Sequence, residues 1–378
     1  MIATELTARP RELGDALRDL RRGRGLSQQE LASAADVSAR HLSFVENGRA
    51  RPGRELLLRL ADRLRAGERE RDALLVAAGY APLREEPPAG PDGFAGAGGP
   101  GGSGGSGAVV DGIGGFAPRP DALRRADVAD ATGLAVEAGR RALASAGAAD
   151  ADTVVLATAT PGRPGQATAP EIADRLGLGD AAAFDIATVC GGFLYGLANA
   201  VGLVASGAAA RVLLIASDTP TPPPAPPWTT VARQWRGGAG AVVLRAGAAD
   251  GPGALGRVVL DTDTRRAVPA EERLYATSLR ALDTVDWTAR DIDRLAAHRC
   301  DPAALRALTG RLKLPAAHRL SPPRVPGAAA IPLLLTRAAA DGTLTAGHRL
   351  LLTAYEADRT WAATTLNWPR LHTVPSTT

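Results

Sequence analysis

Cys190 is the residue of this sequence best placed for nucleophilic chemistry. It sits in AAFDIATVCGGFLYGLANAVGLVASG (182–207), an apolar run that passes through a small-residue turn into a long amphipathic stretch. The pattern predicts a strand, then the thiol, then a helix, so aligned backbone dipoles at the helix N-terminus favour a thiolate. Gly191 and Gly192 directly after it let an acyl chain approach the backbone. A second set of candidates lies in LSQQELASAADVSARHLSFVENGRARP (26–52). Ser27 and Glu30 have capping-box spacing, which starts a helix at Gln28. Asp36 and Val37 suit a turn, and Ser38 caps a second helix running to about Glu46. Leu42 and Val45 then face a core. Ala39, Arg40, Ser43 and Phe44 are left outward, where a helix lying in a major groove meets base edges. Arg49, Arg51 and Arg54 follow beside a glycine-containing turn, suited to phosphate oxygens.

The elements that must position these residues divide into two patterns. Before residue 86 the periodicity is helical: Leu13, Leu17 and Leu20 space one apolar face, and Leu56, Leu57, Leu60 and Leu64 another. Residues 86–107, EPPAGPDGFAGAGGPGGSGGSG, cannot bury enough apolar surface to order themselves and are read as a flexible linker. Beyond them, strand-like runs at 153–160, 210–218, 240–246, 256–263, 294–298, 348–355 and 361–368 alternate with helical ones. That alternation predicts a layered α/β domain with a partly parallel sheet. The expected organisation is a domain at 1–85, a linker at 86–107 and a second domain at 108–378.

Composition narrows the classes. At 378 residues the chain has room for two cores, and 45% apolar content excludes global disorder. No stretch of about 18 uncharged apolar residues predicts a membrane span, and the opening MIATELTARPRELG lacks an apolar signal core. The expectation is a cytoplasmic protein. Cys190 and Cys300 are the only cysteines, so no disulfide framework is indicated. Residues 1–85 carry 16 arginines and 13 acidic residues, a balance of only +3, so DNA binding rests on placement and not on bulk charge. His41, His318, His348 and His372 show no ligand spacing with the cysteines, and no metal site is expected. Gly237 to Gly240 lack the Lys-Ser/Thr of a phosphate loop and are read as close packing. The proline-rich 219–228 is read as an irregular surface segment.

The segment from about Glu12 to Gly79 resembles the Cro/repressor-type (XRE) helix-turn-helix family. The likeness is carried by LSQQELA (26–32), Val37 with Ser38, and VENGR (45–49) with Pro52. The resemblance implies contacts to double-stranded DNA: Gln28 and Asn47 at phosphates, and Arg40 and Phe44 at bases. Ser38, Ala39, Ser43, Arg49 and Arg51 complete the expected surface. A helical protein-interaction module of the same shape is the alternative.

Residues 150–370 resemble ketoacyl synthase III, the initiating condensing enzyme of fatty-acid and polyketide synthesis. The likeness is an ordered series: ATATP (157–161), AAFDIA (182–187), RVLLIA (211–216), GAGAVVL (238–244), AAAIP (328–332), and LLTAY (351–355) with Thr360 and Trp361. It implies a five-layered thiolase fold, a homodimer, and acyl groups delivered on coenzyme A or acyl carrier protein, with no resident cofactor. By carry-over Cys190 is the nucleophile and His298, in LAAHRCD (295–301), its histidine partner, with Asp301 where an asparagine often follows. The fold class expected is thus an all-α helix-turn-helix domain plus an α/β thiolase-like layered sandwich.

Three departures bear on function. Read back from Pro332, Val325 replaces the asparagine of the family's Gly-Asn-Thr-Ser-Ala-Ala-Ser-Ile-Pro run. Valine donates no hydrogen bond to a forming enolate, and losing one such donor costs about 10²–10³ in rate. Glu356, Ala357 and Asp358 replace a Gly-Gly-Gly turn. The domain is also short before residue 130 and between about 262 and 275. The reading that follows is a DNA-binding transcriptional regulator whose thiolase-like domain dimerises and senses acyl thioesters. The alternatives are a Cys-dependent, non-decarboxylating acyltransferase carrying a DNA-binding domain, and a scaffold.

Overall fold

The structure, a computed structural model, describes residues 13–50, 52–78, 80, 106–117, 130–161, 166–187, 191–219, 237–263, 269–298, 302–320, 327–355 and 360–372. The chain divides into two compact units, Met1–Asp92 and Gly93–Thr378. Of the expected linker, 86–105 lies outside the described residues. Ser106 and Gly107 already belong to the second unit, since Ser106 N–H donates to the Leu255 carbonyl and Gly107 accepts from Gly247 N–H.

The first unit contains helices α1 (Leu13–Gly23), α2 (Gln28–Ala34), α3 (Ala39–Glu46), α4 (Arg54–Arg63) and α5 (Glu68–Ala77). Helices this short are marginal alone and are held by a shared apolar face. Leu17, Leu31, Leu42, Val45, Leu57, Leu60, Leu64, Leu74 and Leu75 bury almost completely in one core. The capping box forms as the spacing requires: Glu30 N–H donates to Ser27 Oγ at 3.2 Å and Ser27 N–H to the Glu30 carboxylate at 2.7 Å. Ser38 Oγ accepts from His41 N–H at 3.1 Å and starts α3. Between the two helices Asp36 takes the left-handed conformation, φ +54°, which a short polar side chain tolerates.

The second unit has strands β1 (Ala108–Phe116), β2 (Thr153–Thr158), β3 (Ala182–Ala187), β4 (Arg211–Asp218), β5 (Gly238–Ala246), β6 (Val259–Thr262), β7 (Arg294–Ala297), β8 (Arg349–Tyr355) and β9 (Thr360–Asn367). Helices α6 (Ala131–Ala146), α7 (Ala169–Arg175), α8 (Gly192–Ala205), α9 (Ala270–Asp283), α10 (Pro302–Arg311) and α11 (Ala330–Ala340) cover and separate them. One sheet runs β1-β5-β4-β2-β3 and the other β6-β9-β8-β7. Strands β3, β2 and β4 are parallel, as are β7 and β8, and the remaining pairs are antiparallel.

Strand alternation explains the layers. Val155, Ala157, Val212, Leu214 and Ala216 face a core they share with Phe193, Leu194 and Leu197 of α8, Ile331, Leu334 and Leu335 of α11, and Leu350 and Leu352 of β8. Their neighbours Val154, Leu156, Leu213 and Ile215 point the other way, onto α6 and α7. A two-residue period can bury both faces only if helices lie on both sides of the sheet. Helices α8 and α11 therefore form a middle layer between the sheets, with α6 and α7 outside one and α9 and α10 against the other. At Gly240 a Cβ would stand 2.7 Å from the Pro332 side chain, so the glycine lets α11 sit directly on β5. Among the described residues no helix is long and apolar enough to cross a membrane.

Candidate active site and candidate nucleic-acid interface

His298 follows the last residue of β7 and is buried. Its backbone N–H donates to the Thr353 carbonyl of β8 at 3.0 Å, continuing the parallel ladder and fixing the side chain at the carboxyl edge of both strands. Ligands in open α/β sheets collect at that edge. The imidazole Nε2 accepts from Gly327 N–H at 3.2 Å. An acceptor at Nε2 must be unprotonated there, so the ring proton resides on Nδ1. Burial drives the imidazole pKa down to about 4, and the bond from Gly327 offsets only part of that drop. At neutral pH His298 is a neutral ring. A small cavity beside it is lined by Leu274, Ala297, Ala304, Leu305, Thr353, Ala354 and Tyr355. Tyr355 stacks on Trp361 at 5.3 Å, which braces the end of β8.

Gly327 is positioned by a residue that pattern reading did not single out. Asp218 ends β4, is wholly buried, and holds three chain segments together. One carboxylate oxygen accepts from Ala159 N–H at 2.9 Å and from the Thr158 and Thr160 hydroxyls at 3.5 Å. The other accepts from Ala328 N–H at 2.8 Å. Burial raises its pKa to about 7 despite those donors. Helix α11 receives no cap from its own Ala329. Asp218 and His298 instead take up the backbone N–H groups of Ala328 and Gly327 just ahead of it, groups that would otherwise be buried without partners. The one sequence signal was a carboxylate closing an apolar strand, RVLLIASD.

Strand β3 ends at Ala187 and α8 begins at Gly192 with Gly191 as its N-cap. Cys190 precedes that cap and lies outside the described residues, as do Asp301, Val325, Glu356, Ala357 and Asp358. The proline-rich segment is outside them too except for Thr219, whose N–H donates to Thr160 Oγ1 at 2.9 Å.

In the first unit Ala39 and Arg40 are exposed on α3, and Ser43 and Phe44 are half-buried on the same helix. Ser38 and Asn47 bracket it as N-cap and C-cap. The Arg40 guanidinium lies over the Phe44 ring, 5.5 Å from its centroid. Asn47 Nδ2 donates to Ser43 Oγ at 3.3 Å. Arg49 is exposed after the helix, and Arg51 lies outside the described residues. Gln28 is half-buried and its amide nitrogen donates to Glu46 at 2.8 Å, so that nitrogen is already engaged within the fold.

Glu46 is the centre of a network that spacing did not reveal. Arg21 of α1 makes a two-pronged pair with it, Nε to Oε1 at 2.7 Å and Nη2 to Oε2 at 3.0 Å. Arg18 donates to the Glu46 carbonyl at 2.6 Å and to Asn47 Oδ1 at 3.1 Å. Burial alone would raise the Glu46 carboxyl, but the bonds from Arg21 and Gln28 and the charges of Arg21 and Arg18 hold it below its ordinary value. A Cβ on Gly14 would stand 2.2 Å from the Glu46 carbonyl oxygen, so α1 presses backbone to backbone on the end of α3. Helix α3 is thus clamped at its C-terminus.

Comparison with known proteins assigns the same two parts. Residues 12–74 match the model of a helix-turn-helix domain. Residues 184–264 match 3-oxoacyl-(acyl-carrier-protein) synthase III, and 282–368 match the C-terminal domain of that synthase. β-Ketoacyl-(acyl-carrier-protein) synthase III 5 of Streptomyces coelicolor is 37% identical over 280 residues, covering 64% of this chain and 84% of that protein. The β-ketoacyl-(acyl-carrier-protein) synthase III of Pseudomonas aeruginosa PAO1 is 36% identical over 271 residues, covering 63% of this chain and 82% of its own. A crystal structure of 3-oxoacyl-(acyl carrier protein) synthase III from the same Pseudomonas strain covers 71% of this chain and 99% of its own, with a TM-score of 0.63 and 34% identity. The priming β-ketosynthase from the R1128 polyketide pathway, 23% identical with a TM-score of 0.58, has the same fold.

Proposed function

Because this chain belongs to the β-ketoacyl-(acyl-carrier-protein) synthase III family and carries a helix-turn-helix domain ahead of the synthase part, we propose that it is a DNA-binding transcription regulator whose synthase-like domain dimerises and responds to acyl thioesters. What supports this reading is the pairing of an exposed face on α3 with a synthase-like sequence that, read back from Pro332, has Val325 where the family carries its oxyanion asparagine. His298 supports a ligand role: it is a buried imidazole at the carboxyl edge of β7 and β8, where ligands of such sheets collect. Dimerisation through the second domain would tether two helix-turn-helix modules, so that both can engage the paired half-sites of one operator, which a single short module cannot secure. DNA work and a thiol kept reduced both fit the cytoplasm.

The test is anisotropy of a labelled DNA fragment from the protein's own locus at low salt, titrated with and without short acyl-coenzyme A. The expected result is binding whose affinity shifts with the thioester. Absence of DNA binding under both conditions overturns the reading.

A second reading is favoured by the buried, neutral imidazole of His298 at the carboxyl edge of β7 and β8. In it the Cys190 thiolate adds to the thioester carbonyl, the bond to the carrier sulfur breaks, the carrier thiol leaves with a proton, and an acyl-enzyme passes its acyl group to an amine or hydroxyl. This route needs a base but no decarboxylation. Intact-protein mass spectrometry after incubation with acyl-coenzyme A decides it: an adduct lost in Cys190→Ala supports transfer, and no adduct removes it. Normal thioester-dependent DNA binding by Cys190→Ala assigns the response to non-covalent binding.

A further inference from the structure

Arg40 and Phe44 stand four residues apart on α3, so they occupy one face of the helix, one turn from each other. The guanidinium lies over the aromatic ring at 5.5 Å from its centroid, and among the described residues no carboxylate pairs with Arg40. The nearest acid on the same helix, Glu46, is turned inward and taken by Arg21. Among the described residues Arg40 therefore keeps its donors unspent, while its place over the ring restricts its rotamers before any partner arrives. Phe44 is half-exposed, leaving part of an apolar ring beside a cation on a surface otherwise made of Ala39 and Ser43.

We infer that Arg40 and Phe44 act as one paired reader, with Arg40 selecting a guanine and Phe44 an adjacent thymine. The inference rests on the DNA-binding reading above and deepens it. In the major groove a guanidinium matches guanine O6 and N7 with two parallel N–H donors. The apolar feature of that groove is the thymine 5-methyl group, which an aromatic ring contacts. Because Arg40 and Phe44 stand one helical turn apart with the guanidinium over the ring, they address neighbouring base pairs and not the same one. Arg40 is the second residue of α3, in the N-terminal part of the helix that reaches base edges, and Phe44 follows one turn on.

The experiment is selection of bound sites from a random duplex library by the full chain. Competition binding of the selected site with single modified bases follows. Wild-type protein is expected to select a guanine next to a thymine in each half-site. Replacing that guanine by 7-deazaguanine, which removes N7, should weaken wild-type binding about tenfold or more and leave Arg40→Ala nearly unchanged. Replacing the thymine by deoxyuridine, which removes the methyl group, should weaken the wild type several-fold and leave Phe44→Ala unchanged. Arg40→Lys keeps the charge but not the fork, so its binding to random DNA at low salt should survive while guanine preference is lost. Thermal melts matching wild type confirm folding of the Arg40 variants, whose side chain is exposed. Selected sites without a guanine–thymine pair, or base effects that persist in the variants, overturn the inference while the DNA-binding reading stands. Failure to bind any DNA at low salt sinks both.

Discussion

Glu46 and Asp218 are buried carboxylates, each anchoring one end of a helix, and their environments push them in opposite directions. Glu46 stands at the C-terminus of α3, where the helix dipole disfavours negative charge, yet it stays ionised because Arg21 grips both oxygens and Arg18 stands close. Asp218 stands beside the N-terminus of α11, where the dipole favours negative charge, yet burial raises its pKa to about 7. Its partners are neutral amides and hydroxyls, with no cation bonded to it among the described residues. Full desolvation outweighs neutral hydrogen bonds, and a two-pronged guanidinium outweighs desolvation. The first arrangement builds a rigid clamp, and the second a joint whose charge varies near neutral pH.

The comparison breaks most visibly at the clamp. Arg21→Ala leaves Glu46 buried without its main counter-charge, and removing one member of a buried pair costs about 3–5 kcal/mol. Urea unfolding of the full chain, followed by proteolysis of each unit, should show the loss confined to the first unit. A loss below about 1 kcal/mol would mean the pair is solvated like a surface ion pair.

The joint is tested through pH. Asp218 binds its proton more tightly folded than unfolded, so its contribution to stability is complete below about pH 4 and is lost as pH rises through about 7. His298 binds its proton less tightly folded, so its contribution is complete above about pH 6.5 and is lost as pH falls towards about 4. Between those limits the two oppose each other. Asp218→Asn should leave a second unit whose urea midpoint climbs with pH across that window. His298→Gln should leave one whose midpoint falls, and the wild type should be flatter than either. Parallel slopes in all three proteins would show that neither group titrates with folding.

A smaller effect sharpens the clamp's geometry. Gly14→Ala drives a methyl into the backbone of α3, where no side chain can move aside. Overpacking of this kind costs about 1–3 kcal/mol. It should also lower DNA affinity by displacing α3, which denaturation midpoints and anisotropy on one preparation will separate.

The parts of this architecture legible in the sequence are those set by neighbours in the chain. The capping box at Ser27 and Glu30, the N-cap at Ser38 and the alternation of Val154 with Val155 follow from local geometry, and the structure has them where the spacing puts them. Gly240 was legible as close packing because a small residue among strand residues marks a tight approach. His298 was legible only as one motif in an ordered series. Asp218 and Glu46 were not legible: Asp218 meets Ala328 across 110 residues and Glu46 meets Arg21 across 25, and no period links them. Both are long-range polar contacts between elements whose own patterns are apolar, where pattern reading carries least information.

Ser38 yields the smallest and most discriminating prediction, because it was expected both to start α3 and to touch DNA. Its Oγ accepts from His41 N–H, the bond an N-cap makes. Ser38→Ala should cost about 1 kcal/mol in the first unit, whereas Ser38→Gly, which suits the cap backbone, should cost a few tenths. Ser38→Asp keeps the cap and adds a negative charge where a phosphate would approach. If Ser38 serves only the helix, DNA affinity will follow stability: alanine weakest, glycine near wild type, aspartate little changed. If its hydroxyl also meets the DNA backbone, alanine and glycine will lose affinity alike, and aspartate will lose the most while remaining the most stable of the three. Midpoints and anisotropy on the same variants separate a helix that is merely well capped from one whose cap is part of the reading surface.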